Sequence, residues 1–256
     1  MAGAGGGGGG TIFGPTQRKK QEDERFALTP QQYLERYHVQ VYLEDAIRVA
    51  LDARDERPLE VLYKYFNSVL QGNHVLLRSY DFISKTPRNR LAFVRLLVET
   101  YRNVQPDSEM PAEEHHQLVT LICPDFPTNV HEEAKTYMMP SSTNCFHFKT
   151  LSAYFQVLFI FSEFLDSVKR LFEPPNTEDR TMTKTNFLWA VRNVINTRHW
   201  EFSCPAASLL ESILANGQNA DSNKDTVTYT QFLLGMTKCE SIVISPPAAS
   251  RTSSNK

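Results

Sequence analysis

The sequence predicts an all-α fold, a helical hairpin followed by a multi-helix domain, from three observations. Apolar residues recur at steps of three, four and seven over 33–53, the period of an amphipathic helix. Threonine followed by proline, typical of a helix start, occurs at 29–30 and again at 86–87. The densest apolar segment, residues 146–172, is too long for a common strand.

Composition narrows the classes of function. The 256 residues are 41% hydrophobic, enough to bury a core, and the net charge of -2 provides no basic field for nucleic acid. The four cysteines are far apart and form no CxxC pair, which suits a reducing compartment. No apolar run reaches the roughly 20 residues that cross a bilayer. We therefore expect a soluble protein that neither binds nucleic acid nor inserts into a membrane.

Both ends of the chain are predicted to be disordered. Residues 1–26 are rich in glycine and then in charge, and residues 245–256 are rich in proline and serine, so neither can bury enough apolar surface to become ordered. The hairpin is predicted over 27–78. Residues 55–58 break it into two helices, and the second helix ends near Gly72.

Residues 79–244 are predicted to form one helical domain. A third helix begins at residues 86–87, and shorter helices are expected at 112–122 and 128–138. The phenylalanine-rich segment 146–172 is predicted to be one central buried helix, with Glu163 and Asp166 turned outward.

Two later segments repeat a pattern typical of EF-hands, the helix–loop–helix units that bind calcium. In each, a helix and a polar loop lead to an apolar residue, Met182 or Val227, with a polar residue four positions later and a phenylalanine five positions later. We predict that the two loops pair briefly around these two residues. Calcium binding would need oxygen ligands at loop positions one, three and five and a glutamate at position twelve.

Neither loop meets this requirement. With Val227 at position eight, position twelve is Gln231. Sliding the frame by one residue places the acidic run 221–225 at the first ligand positions but puts Phe232 at position twelve. In the earlier loop Asn186 falls at position twelve. We therefore predict degenerate EF-hand-like repeats that hold no metal.

No residue pattern predicts catalysis or a bound cofactor. His131 begins a segment like a zinc-protease helix, but residue 135 is lysine where that motif needs a second histidine. The adjacent His115 and His116 would point about 100° apart on a helix and are expected to face solvent. We predict no catalytic, cofactor-binding or metal-binding residue, and hence no enzyme.

The hairpin resembles a known two-helix module. Residues 33–68 contain a tyrosine–leucine start, an apolar helix, an Arg-Pro break and a second short helix, similar to the docking-and-dimerisation module of kinase regulatory subunits and ciliary scaffolds. In that module the first helices pair into a four-helix bundle whose groove takes a partner's amphipathic helix. Leu43 and Ile47 are therefore candidate partner-binding residues. The alternative is an ordinary hairpin that packs on the chain's own core.

Five segments carry a second and wider resemblance. They are YLERYHVQVYLEDAI at 33–47, YFNSVLQGNHVLLR at 65–78, TPRNRLAF at 86–93, CPDFP at 123–127 and SEFLDSV at 162–168. In order and approximate spacing they resemble the centriolar-satellite-associated tubulin polyglutamylase complex regulator family. The likeness weakens after residue 172 and does not include the glycine-rich start.

This resemblance implies a protein without ligase activity that binds the tubulin polyglutamylase complex and influences its location and stability. The implied locations are the cytoplasm and cytoskeleton, at centriolar satellites, microtubules, the centrosome and the base of the cilium. The implied partners are subunits of that complex and microtubules, and a homodimer is a further candidate assembly. The alternative function is a docking-and-dimerisation scaffold that anchors other ciliary components, and a calcium sensor is a third.

Two arginines beside the start of the third helix are further candidates for partner binding. Arg88 and Arg90 are expected to be exposed cations that could meet an acidic partner. The alternative is that both are simply solvated.

Overall fold

The computed structural model describes residues 26–138, 144–172, 181–198, 202–217 and 225–245. Over these residues the chain is mostly helical, as predicted, with strands of two residues each. It divides into two units, residues 1–62 and 63–256, inside a continuous helix. The boundary proposed from the sequence, after residue 78, stays a prediction. The predicted disordered tails lie outside the described residues, except for Phe26 and Ser245.

The first unit holds helices α1 (Pro30–Arg36) and α2 (Val39–Ala53) and the start of α3 (Pro58–Gln71). Thr29 and Gln32 form a capping box at the start of α1, in which each side-chain oxygen accepts a hydrogen bond from the other residue's backbone N–H. The apolar pattern over 33–53 predicted one continuous helix. The structure interrupts it at His38, which adopts a left-handed backbone conformation with φ of 52°.

The second unit begins in α3 and continues through α4 (Tyr80–Ser84), α5 (Pro87–Thr100), α6 (Ala112–Thr120) and α7 (Asn129–Tyr137). The predicted start of α5 is confirmed, because the Thr86 side chain accepts a hydrogen bond from the N–H of Asn89 at 3.1 Å. Helix α4 was not predicted, since five residues provide too little periodic pattern.

The predicted central helix over 146–172 is wrong as a single element. It forms two helices, α8 (Phe148–Ile160) and α9 (Ser162–Phe172), bent by 88° at Phe161. Asp166 is exposed, as predicted, whereas Glu163 is only half-exposed. Among the described residues no single helix is long and apolar enough to span a membrane, and α8 and α9 meet that criterion only as this bent pair.

Helices α10 (Lys184–Arg198), α11 (Leu210–Gly217) and α12 (Tyr229–Thr237) complete the described part of the second unit. Strand β3 (Met182–Thr183) pairs antiparallel with β4 (Thr226–Val227), and Met182 lies opposite Val227, which confirms the predicted pairing. The EF-hand likeness itself stays a prediction, because residues 173–180 and 218–224 of its loops lie outside the described residues.

An earlier strand pair was missed by the sequence analysis. Strand β1 (Glu109–Met110) pairs antiparallel with β2 (Phe146–His147). Each of the four strands in the described part of the second unit is followed, with at most one residue between, by a helix, and the strands are joined in two pairs.

Aromatic side chains fill the core around α8. Phe126, from the loop between α6 and α7, packs against Phe93, Phe155 and Phe159 with ring centroids 5.2 to 5.7 Å apart. All four side chains are buried. The predicted core role of the segment around Phe159 is therefore confirmed, although its path is bent.

Two histidines also lie in this core, so the prediction that His115 faces solvent is wrong. Its Nδ1 lies 2.9 Å from Nε2 of His131, and both side chains are buried. His116 is half-buried, with Nε2 2.9 Å from the carbonyl oxygen of Phe126. Burial lowers the pKa of His115 to about 4 and that of His131 to about 3. The pair is therefore neutral near pH 7.

Two glycines let α11 and α12 touch backbone to backbone. A Cβ atom on Gly235 would lie 1.8 Å from the carbonyl oxygen of Ile213, and one on Gly217 would lie 1.9 Å from that of Gln231. Neither distance is possible for real atoms, so any larger residue at these positions must push the two helices apart.

Replacing Phe159 with alanine is expected to destabilise the second unit by about 3–5 kcal/mol, because it leaves a cavity among packed aromatic rings. The measurement is the free energy of unfolding in urea. Trp189→Ala is the matched control: this exposed aromatic residue should cost less than about 0.5 kcal/mol. A cost below about 1 kcal/mol for Phe159→Ala would contradict its place in the core.

Gly235→Ala is expected to destabilise the protein by about 1–3 kcal/mol or more, because the new methyl group overlaps a backbone carbonyl that cannot rotate away. In an ordinary helix the same change stabilises by about 1 kcal/mol, so the sign of the effect is the test. Thr230→Ala, at an exposed position of the same helix, is the control. A thermal midpoint that rises for Gly235→Ala would refute the close contact.

Acid is expected to destabilise the second unit. The pKa values of His115 and His131 lie below the ordinary 6.5, so the unfolded chain binds protons more readily. The free energy of unfolding keeps its full value above pH 6.5, where both histidines are neutral in the folded and the unfolded chain. It falls as the pH drops toward 4, by about 1.4 kcal/mol per pH unit for each histidine. Burial also lowers the pKa of His74, which acts in the same direction.

Urea midpoints measured at pH 7.5, 6 and 5 would test this dependence. His147→Gln, at an exposed histidine, should leave the slope unchanged. A midpoint that stays constant between pH 7.5 and 5 would rule out a neutral buried histidine pair.

Candidate partner-binding surface

Helix α2 carries an exposed apolar stripe. Leu43, Ile47 and Leu51 follow at four-residue steps and so share one face of the helix. They are 44%, 58% and 69% exposed, whereas Tyr42 and Ala46 of the same helix are buried. We call these three residues the α2 stripe. It contains both hairpin residues that the sequence singled out and adds Leu51, which the same spacing could have identified.

The surroundings of the α2 stripe are polar. Glu44 and Arg48 are exposed beside it, and Glu44 accepts a hydrogen bond from the side chain of Gln40 at 2.7 Å. An apolar centre with a polar rim is the usual composition of a protein–protein contact surface. The arrangement suits binding through burial of apolar surface rather than through a charged patch.

Helix α3 has an exposed apolar row of its own. Leu59, Tyr63, Phe66 and Leu70 are spaced by three or four residues and lie within one face of that helix. Its buried residues include Val69, on a different face. Contiguous exposed apolar residues on a soluble protein usually mark a site of contact with another molecule. The sequence analysis missed this row because periodicity identifies a face without saying whether the chain covers it.

Arg88 is exposed, but its guanidinium group is already engaged within the second unit. Its Nε and Nη2 atoms donate hydrogen bonds to the carbonyl oxygen of Val69 at 3.2 and 3.0 Å, and Nη2 also reaches that of Leu70. Both carbonyl groups belong to the last turn of α3, where a positive charge is favourable. The observed role of Arg88 is therefore a helix cap, and partner binding by it stays a prediction.

Arg90 is buried, so the expectation that it is an exposed cation is wrong. The residue is 7% exposed and its guanidinium pairs with the carboxylate of Glu163. It also donates hydrogen bonds to the Ser84 carbonyl at 2.8 Å and to Ser162 Oγ at 2.6 Å. Burial tends to raise the pKa of Glu163, but the hydrogen bond and charge of Arg90 bring it below its ordinary value. Arg90 therefore joins helices rather than facing a partner.

Other motif residues also meet inside the second unit. Nε2 of His74 lies 2.8 Å from Oδ1 of Asn89, whose Nδ2 donates to the carbonyl oxygen of Phe82 at 2.7 Å. The carboxylate of Asp125 accepts a hydrogen bond from the backbone N–H of Tyr80 at 3.0 Å. Polar contacts thus link segment 86–93 to segments 65–78 and 162–168, and segment 123–127 to Tyr80, which assigns these side chains to the fold.

The described residues contain no group of three or more His, Cys, Asp or Glu side chains arranged to hold a metal ion. The Cys123 thiol is buried, and burial raises its pKa to about 12, the opposite of what a nucleophile needs. The exposed apolar residues of α2 and α3 are the candidate partner-binding surface.

Comparison with known proteins agrees with the motif resemblance. Residues 27–72 match the profile of the CSTPP1 N-terminal domain. The protein named "Centriolar satellite-associated tubulin polyglutamylase complex regulator 1" from Homo sapiens is 30% identical over 249 residues, covering 84% of this chain and 72% of the relative. The Bos taurus protein of that name is 30% identical, covering 84% and 74%, and the Danio rerio protein is 32% identical, covering 60% and 49%.

No solved structure matches the chain. Relatives that are 30% identical to the chain cover 84% of it and share one name. The chain therefore belongs to the centriolar satellite-associated tubulin polyglutamylase complex regulator 1 family.

Proposed function

We propose that this chain is a non-catalytic regulator of a tubulin polyglutamylase complex, acting as an adaptor through protein–protein contacts at centriolar satellites, microtubules and cilia. The names of its relatives support the regulatory role and the satellite location. The observation that carries the proposal is the exposed α2 stripe, which lies in the segment matched by the family's N-terminal domain. In this proposal glutamate ligation belongs to a partner enzyme.

The α2 stripe can supply useful binding energy. Fully burying one leucine or isoleucine side chain is worth about 1.5–3 kcal/mol, and Leu43, Ile47 and Leu51 all retain much of their surface in water. An amphipathic helix from a subunit of the complex would cover the α2 stripe with apolar residues of its own that follow the same spacing. The three side chains are already partly buried in the free chain, which reduces the free energy gained when a partner covers them. The expected contribution of the α2 stripe to binding is therefore several kcal/mol.

A docking-and-dimerisation scaffold that anchors other ciliary components is the second candidate. The exposed row on α3 favours it, because such a module needs apolar surface for a second copy as well as for the docked helix. Affinity purification separates the two candidates. Recovery of tubulin ligase subunits supports the regulator, whereas recovery of an amphipathic-helix anchor alone supports the scaffold.

Replacing both Leu43 and Ile47 with aspartate is expected to abolish recovery of the polyglutamylase complex, since binding would then bury two unpaired charges at a cost of several kcal/mol. The measurement is pull-down of ligase subunits from ciliated cells, with the melting temperature recorded on the same purified variant. Melting must be measured because unfolding would also abolish recovery.

Arg48→Glu is a matched control, because it changes the net charge by the same two units at an exposed polar position of α2. It should leave recovery intact. A folded Leu43→Asp, Ile47→Asp variant that still recovers the complex would exclude the α2 stripe as the contact surface.

A further inference from the structure

The second unit contains a cleft of about 1260 Å³ that the proposed function does not use. Residues of α5, α6 and α8 line it, together with the segment that follows α12. We call this segment, residues 238–245, the C-terminal strap. Its side chains Ile242, Val243 and Ile244 are half-buried and pack against the core. The strap turns at its start, where the carbonyl oxygen of Cys239 accepts hydrogen bonds from the N–H groups of Ile242 and Val243, and its apolar residues then line the cleft.

A buried glutamine of α8 holds the strap by its backbone. Gln156 is 2% exposed, and its Oε1 accepts a hydrogen bond from the N–H of Ile244 at 2.9 Å. Its Nε2 donates to the carbonyl oxygen of the same residue at 3.2 Å. A neighbouring β-strand makes the same pair of bonds to one residue. Gln156 thus recognises an extended backbone and does not depend on which side chain that residue carries.

The charges around the cleft favour one kind of peptide. The charged side chains that helices and loops outside the strap contribute to its lining are the cations Arg102 and Lys149, of which Arg102 also pairs with Glu99. The strap contributes Lys238 and Glu240, and Glu240 is the nearer of the two to its apolar run. An acidic residue followed by branched apolar residues therefore matches both the lining charge and the apolar wall.

The size of the cleft also points to a peptide. Pockets for small molecules usually measure about 300–1,000 Å³, and this one is larger while the strap is already in place. The strap ends its described course at Ser245, which itself lines the cleft.

We propose that this cleft is a docking groove for a partner segment, an acidic residue followed by a branched apolar run that is extended where it meets Gln156, and that the strap is its intramolecular occupant. The partner segment would take over both hydrogen bonds from Gln156 and displace residues 242–245. The groove lies wholly within the second unit, so this proposal stands or falls independently of the α2 stripe.

The probe is a labelled synthetic peptide that copies residues 239–245 with Cys239→Ser, and binding is measured by fluorescence anisotropy on the full chain. Ile244→Pro removes the N–H that Gln156 accepts and so weakens the strap. The peptide should bind Ile244→Pro at least tenfold more tightly than the unsubstituted chain. Adding Gln156→Leu should reverse that gain, whereas Gln105→Leu, at an exposed glutamine lining the same cleft, should not.

A folded Ile244→Pro chain that binds the peptide no better than the unsubstituted chain would overturn the proposal. So would a peptide with lysine in place of Glu240 that binds equally well. Hydrogen exchange on the unsubstituted chain provides a test that does not depend on any variant folding. Saturating peptide should accelerate exchange of the Ile244 amide by displacing the strap, and unchanged exchange would refute displacement.

Discussion

The position of one guanidinium group constrains the second unit more than any other polar group described. Arg90 cannot lose its charge, and taking it out of water costs several kcal/mol unless its donors are matched. The Ser84 carbonyl, Ser162 Oγ and the Glu163 carboxylate match them. The acceptors from α9 come from its first two residues, directly after the 88° bend. The bend is therefore required to satisfy Arg90, and α4, α5 and α9 are fixed together as a result.

Four of the five segments that carry the family resemblance contribute polar side chains that hold the second unit together. Asn89 bridges His74 and the Phe82 carbonyl, and Asp125 caps the backbone at Tyr80. These residues are polar because buried backbone groups and a buried charge need partners. The proposed contact surface consists instead of leucine and isoleucine residues that are exposed on α2. Segment 33–47 carries the proposed contact residues Leu43 and Ile47, whereas the later segments contribute polar side chains to the fold.

Features with a local physical cause could be predicted from the sequence, as the Thr86 cap and the pairing of Met182 with Val227 illustrate. Features that depend on distant parts of the chain could not. The sequence predicts that Arg90 is a surface cation, because it does not show that the fold brings Glu163, seventy-three positions later, beside it. The sequence likewise predicts that His115 faces solvent, because it does not show that the imidazole of His131 packs against it. Leu43 and Ile47 could be assigned to one face, but periodicity does not say whether the chain itself covers that face.

The backbone contact through Gly217 and Gly235 also restricts how α11 and α12 can move against each other. Each glycine lies against a backbone carbonyl of the other helix, and backbone atoms, unlike a flexible side chain, cannot move aside. A rotation of either helix about its own axis would bring a residue with a Cβ atom toward that carbonyl. The two helices should therefore move as one rigid body in any motion of the second unit.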